Sequence, residues 1–190
     1  IGKKEGADSF SFVVPGAALS EVEKICSDSE EEASITQGAR HVMFKVGSTI
    51  LISRRLEGEF LAYRQAIPRN NPIHVEGDTR ALLSSIDRVS LIISDKLESP
   101  LRCVFGENLL RISTKTAIGD AADQCPIQGS GGGLEIGFNN RYLMDALKAA
   151  PADRVRLELS SGVSPCVILP TEGEENFLSM VLPVRLKAGE

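Results

Sequence analysis

Histidine and cysteine are the side chains most able to do chemistry near neutral pH, as bases, nucleophiles or metal ligands. The chain has two histidines, His41 and His74, and four cysteines, Cys26, Cys103, Cys125 and Cys166. Each histidine lies in a strand-like segment with no cysteine or carboxylate at ligand spacing. The cysteines are widely scattered and form no C-x-x-C pair, which reads as reduced, packed thiols in a cytoplasm. A Cys–His catalytic pair would have to be assembled in space. Asp28-Ser29-Glu30-Glu31-Glu32 is an acidic run, but a metal site needs oxygens converging from a shaped loop. It reads as a solvated turn. Gly129-Ser130-Gly131-Gly132-Gly133 has the composition of a phosphate loop. Such a loop follows a strand and opens a helix; here a strand follows, so the segment reads as a flexible connector. G-x-S-x-G, H-E-x-x-H and Walker patterns are absent. The expectation is a protein that is not an enzyme, with no metal and no cofactor.

The totals frame that expectation. A length of 190 residues suits one or two domains with a real core. Hydrophobic residues make up 42% and charged residues 25%, as in ordinary globular proteins. No apolar run approaches the roughly 18 residues of a spanning helix. The start, Ile1-Gly2-Lys3-Lys4-Glu5-Gly6, has no apolar stretch behind its lysines and does not read as a signal peptide. With no initiator Met, the chain reads as a piece of something longer. The net charge of −5 argues against a compact basic nucleic-acid domain, but is compatible with cations gathered on one face.

Three segments share one order: a strand, a cap, an amphipathic helix, then more strands. The first runs Phe10 to Val14, with Pro15 opening a helix through Leu19, Val22 and Cys26. The second runs Ile73-His74-Val75, with Asp78 as cap and a helix through Leu82, Leu83, Ile86 and Val89. The third runs Leu134 to Phe138, with Asn139 as cap and a helix through Leu143, Ala146, Leu147 and Ala150. Their spacing of about 60 residues fits a small βαβββ module rather than a solenoid repeat. The strands expected after each helix are His41 to Val46 and Thr49 to Arg54 around Gly47-Ser48, Leu101 to Phe105 and Leu109 to Ser113 around Gly106-Glu107-Asn108, and Val155 to Leu159 and Val163 to Leu169 around Ser160-Ser161-Gly162. Arg156, Glu158 and Ser160 alternate with Val155, Leu157 and Leu159, the mark of a sheet with one wet face. The fold class is α+β, with helices on one face of antiparallel sheets. At the far end, Met180-Val181-Leu182-Pro183-Val184-Arg185-Leu186 reads as a buried strand with an apolar, proline-stiffened tip. Only Lys187 to Glu190 is left as a loose tail.

Three motifs carry a family resemblance: Gly58-Glu59-Phe60-Leu61-Ala62-Tyr63-Arg64-Gln65-Ala66-Ile67-Pro68, Leu134 to Leu143, and the terminal Leu182-Pro183-Val184-Arg185-Leu186. In their order and spacing the chain resembles the bacterial sliding clamp, the β subunit of the replicative DNA polymerase III holoenzyme, from about Ser9 to Leu186. The resemblance implies the DNA-clamp fold of repeated βαβββ modules. Residues 1–60 would be the second half of the middle clamp domain, truncated, and residues 61–190 the complete C-terminal domain. It implies a non-catalytic processivity factor, a head-to-tail homodimeric ring around duplex DNA. Its partners would be the polymerase III catalytic subunit, the clamp loader, other polymerases and mismatch-repair proteins, all docking through short linear motifs. Carried over by position, the docking pocket would be walled by Leu61, Gln65, Ala66, Val163, Pro165, Met180, Leu182, Pro183, Val184, Arg185 and Leu186. Many clamps have a proline and an acid at Leu61 and Ala62 and an arginine at Gln65, so this rim would be more apolar and less cationic. The ring interface would involve Leu91 and Ile92, in an apolar Leu91-Ile92-Ile93 run at the end of the second helix. Sliding needs phosphate attraction without base contacts. Lys24, Arg80, Arg88, Arg141 and Lys148, off the apolar helix stripes, are the candidates to face DNA. Two other classes remain: a direct-contact nucleic-acid-binding domain without ring closure, and a small hydrolase with only a fold-level likeness.

Overall fold

In the computed structural model, residues 10–58, 60–94, 99–173 and 176–186 are described. The readings made on Ile1 to Gly6, Glu59 and Lys187 to Glu190 fall outside them. The chain divides into two compact units, Ile1–Ala62 and Tyr63–Glu190.

In the first unit, Pro15 stands at the N-cap of α1 (Gly16–Ser27), with its fixed φ and no side-chain cap. The half-buried positions of α1 are Ala18, Val22 and Ile25, spaced four and three apart on one face. Leu19 and Cys26, expected on that face, are exposed. β1 (Ala33–Gln37), β2 (His41–Val46) and β3 (Thr49–Arg54) form an antiparallel sheet in that order. β2 and β3 join at Gly47-Ser48 as expected, with Val46 opposite Thr49. Alternation along β2 buries Val42, Phe44 and Val46. Phe10 to Val14 is not a strand. The Val13 carbonyl accepts one hydrogen bond, from Leu56 N–H at 2.8 Å, where a ladder would need repeated exchange along the segment. Phe12 instead packs edge-on to Phe44, centroids 6.1 Å apart.

In the second unit, the short helix α2 (Tyr63–Ala66) precedes β4 (Ile73–Asp78) and α3 (Thr79–Ser90). The Asp78 side chain accepts from Ala81 N–H at 2.8 Å, satisfying a donor at the helix start. Then follow β5 (Leu101–Thr116), β6 (Gly119–Phe138), α4 (Asn140–Ala149), β7 (Arg154–Leu159), β8 (Cys166–Pro170) and β9 (Ser179–Val181). Asn139 Oδ1 caps α4, accepting from Arg141 and Tyr142 N–H groups at 3.0 and 3.3 Å. The sheet order is β5-β6-β4-β7-β8-β9. Leu82, Ile86 and Val89 of α3 and Leu143 and Leu147 of α4 bury into one cluster with Val75, Phe105, Ile136, Phe138, Leu157 and Ile168 of the sheet. Each such aliphatic side chain contributes about 1.5–3 kcal/mol of burial.

Several expected turns lie elsewhere. Gly106-Glu107-Asn108 is no hairpin: the segment stays inside the single strand β5, with register shifts on either side of Glu107 and Asn108 at φ 51°. The hairpin turns at Ala117-Ile118 instead, with Thr116 opposite Gly119. Gly129 to Gly133 is not a connector, since it lies within β6. A β-carbon on Gly131 would stand 2.2 Å from Phe105 Cβ, so close strand approach explains glycine there. β8 starts at Cys166, leaving Val163 in the preceding turn. Leu91 to Ile93 follow the end of α3; Leu91 is 78% exposed and Ile93 packs on the core. Cys103, Cys125 and Cys166 are buried free thiols, but Cys26 is exposed rather than packed. Among the described residues no helix is long and apolar enough to cross a membrane.

Candidate functional site

The terminal segment is only briefly a strand. β9 pairs with β8 through Val181 opposite Cys166 and Met180 opposite Val167, and Val181 is buried. Leu182 then turns to solvent, 63% exposed. Pro183 has no N–H to donate, which ends the ladder. The next attachment is one isolated bridge, with Val184 N–H donating to Gly137 O at 2.8 Å. The expected buried strand is therefore a three-residue strand followed by a solvent-facing tail held at one point on β6.

Beside this tail lies an open cleft of about 440 Å³, lined by Glu135, Gly162, Val163, Arg185 and Leu186. It brings together Val163, Arg185 and Leu186 of the expected pocket. Val163 is 75% exposed at its rim. Glu135 and Gly162 also line it, though nothing in the sequence singled them out for the pocket. Glu135 is ion-paired with Arg102 across the β5–β6 ladder. Val184 points elsewhere, lining a second hollow of about 350 Å³ with Ile93, Pro100, Phe138 and Arg141. Val184 and Arg185, neighbours in the tail, thus serve different hollows. Met180 and Pro165 are half-buried, and Gln65 and Ala66 are exposed on α2. Leu61 belongs to the first unit and is exposed.

The cations differ in their surroundings. Arg80 and Lys148 line one hollow of about 400 Å³ between the start of α3 and the end of α4, and Arg80 lies 3.5 Å from Asp153. Arg88 is committed to the fold: its Nε donates to Asp123 Oδ2 at 2.8 Å, and its terminal nitrogens donate to Ser84 and Ser85 hydroxyls at 2.5 and 3.1 Å. Arg141 is exposed in the first turn of α4. On α1, Lys24 pairs with Glu21 at 2.7 Å, which raises its pKa.

Among the described residues no three His, Cys, Asp or Glu side chains converge to hold a metal ion. Burial pushes the Cys103 thiol up to about 12 and Cys166 higher still, so both stay protonated and inert at neutral pH. The cleft offers apolar side chains, backbone and opposite charges, which suits recognition of a peptide.

Comparisons with known proteins agree along nearly the whole chain. The family model for the C-terminal domain of the DNA polymerase III beta subunit matches residues 64–185, and the model for the central domain of the same protein matches residues 2–61. The beta sliding clamp of Staphylococcus aureus (strain Mu50 / ATCC 700699) is 33% identical over 181 residues, covering 94% of this chain and 48% of that protein. That of Staphylococcus epidermidis is 32% identical over 184 residues, covering 96% and 48%. The chain thus spans about half the length of the relatives it matches. Among solved structures, a Bartonella birtlesii sliding clamp bound to griselimycin is 28% identical with TM-score 0.82, covering 92% of this chain and 47% of that one. The DNA polymerase III beta protein of Pseudomonas aeruginosa is 26% identical with TM-score 0.84, covering 95% and 49%. The Caulobacter crescentus sliding clamp, at 21% identity and TM-score 0.86 over 98% and 50%, shows the shared fold alone.

Proposed function

We propose, from the premise that this chain belongs to the DNA polymerase III beta subunit family, that it is part of a sliding clamp that works without catalysis. Residues 1–60 are the second half of the middle domain and residues 61–190 the C-terminal domain. In the longer protein, a homodimeric ring encircles duplex DNA in the cytoplasm. The polymerase III catalytic subunit, the clamp loader, other polymerases and mismatch-repair proteins dock on it through short linear motifs. Exposed Leu91 with Ile92 contributes to the ring interface, while Arg80, Lys148, Arg141 and Lys24 supply the field that holds DNA. Arg88, already tied to Asp123, contributes less.

The observation that carries this reading is the solvent-facing Leu182–Leu186 tail beside an open cleft, at the end of a sheet with the clamp fold. Gln65, Ala66, Val163, Pro165, Met180, Leu182, Pro183, Arg185 and Leu186 remain the proposed peptide wall, without Val184, which lines a different hollow. A peptide with two apolar anchors gains about 1.5–3 kcal/mol gross from each, less the cost of ordering, so an isolated motif binds weakly and tethering amplifies it. The Bartonella birtlesii clamp is described with griselimycin bound, so a relative carries a ligand site.

Fluorescence polarisation with a labelled peptide bearing Leu and Phe anchors tests the docking reading. Binding by this chain that griselimycin displaces, weaker than binding by the full-length protein, is the expected result. No binding by either overturns it. The topological half is tested on the full-length protein, which should persist on circular DNA and leave once that DNA is linearised. Affinity that survives linearisation and falls steeply with salt favours direct contact instead.

A further inference from the structure

Both walls of the cleft rest on one short stretch of β6, and each makes its contact through a glycine. On one side the tail meets Gly137. A β-carbon there would stand 2.5 Å from the Val184 carbonyl oxygen and 2.8 Å from Leu186 Cδ2. On the other side the turn before β8 presents Gly162, where a β-carbon would stand 2.5 Å from the Glu135 carbonyl oxygen. Neither glycine has a positive φ, so backbone conformation does not require glycine at either position; close approach does. Glu135 and Gly137 are two residues apart and share a face of the strand. Glu135, Gly162, Arg185 and Leu186 all line the cleft.

We propose that Gly137 and Gly162 are positioning residues for peptide docking: they bring the tail and the turn down onto β6 and so set the gap between the walls. The inference rests on the docking reading. A methyl group at either position lifts one wall and changes the width available to an apolar anchor.

The test uses Gly137→Ala and Gly162→Ala in the whole 190-residue chain, with Gly16→Ala as control, where a β-carbon meets nothing within 4 Å. Three readouts are taken: amide hydrogen exchange, affinity for the labelled Leu/Phe peptide, and far-UV circular dichroism. Exchange at the Val184 amide, which donates to Gly137, should rise at least tenfold in Gly137→Ala and stay unchanged in Gly162→Ala. Peptide affinity should fall at least fivefold in both variants and not in the control. The circular dichroism and the exchange of β7 amides should stay as in the wild type. Generalised loss of protection across β7 would mean ordinary destabilisation and would overturn the positioning role. So would affinities within twofold of wild type. Should Gly137→Ala fail to fold, Gly162→Ala, in a turn, still decides the matter. A wild-type chain that ignores the peptide defeats the docking reading, and the Val184 exchange then reports separately whether Gly137 holds the tail.

Discussion

Cys103 stays protonated to a pH of about 12 because burial penalises its thiolate, whereas an unfolded thiol ionises near 9.0. Above pH 9 the unfolded state therefore loses a proton that the folded state keeps. Stability falls as pH rises from 9 towards 12, by about 1.4 kcal/mol per unit for this group. Urea melts between pH 8 and 10.5 should show the decline, and Cys103→Ala, though less stable throughout, should make it shallower, with buried Cys166 supplying a slope of the same sign. Alkylation followed by mass spectrometry should modify Cys26 in the native chain, with Cys103 and Cys166 reacting only after unfolding. Asp123 behaves with the opposite sign. The Gln124 backbone N–H and then the Arg88 guanidinium hold its carboxyl below the usual range. It stabilises the fold above the unfolded carboxylate pKa, and that contribution is lost as pH falls through the lower folded value. Because the Arg88 side chain is about half exposed, Arg88→Ala should cost no more than about 1 kcal/mol at pH 7 and should weaken the acid dependence.

Helix starts are set by local chemistry, and each cap should be worth about 1 kcal/mol: Asp78→Ala and Asn139→Ala should each lower stability by that amount in thermal melts. For the same reason α3 and α4 were readable from sequence, since the cap and the apolar stripe lie within one short window. The long hairpin was not readable. Gly106-Glu107-Asn108 has turn composition, but pairing of β5 with the continuous β6 absorbs it as a bulge. Gly129 to Gly133 looks like a linker because glycine signals freedom locally, whereas Gly129, Gly132 and Gly133 take left-handed φ inside a strand and Gly131 answers a non-local cause, the Phe105 backbone lying against it. Gly131→Ala should cost about 2–4 kcal/mol, far above an ordinary strand substitution. Phe10 to Val14 has strand composition but one backbone bond to Leu56 in place of a ladder. At the site, the sequence pointed to Val163, Arg185 and Leu186. It missed the Glu135 and Gly162 contribution because backbone contact leaves no compositional trace.

The two units differ in how much apolar surface they bury. Val42, Phe44 and Val46 are the buried apolar residues described in the first, while the second encloses an extended cluster from Val75 to Val181. Amides of β2 and β3 should therefore exchange well before those of β7 and β8 in native-state hydrogen exchange. Ile50 and Ile52 are exposed on β3, an edge strand. Such an edge invites pairing with another chain. Light scattering should show association that grows with concentration, and Ile52→Lys should suppress it. β6 has a different consequence. It begins beside the Ala117-Ile118 turn, continues through the bulged glycine segment to Phe138, and at Gly137 grips Val184. The strand that closes the long hairpin at one end is therefore the one that anchors the chain's last described residues at the other.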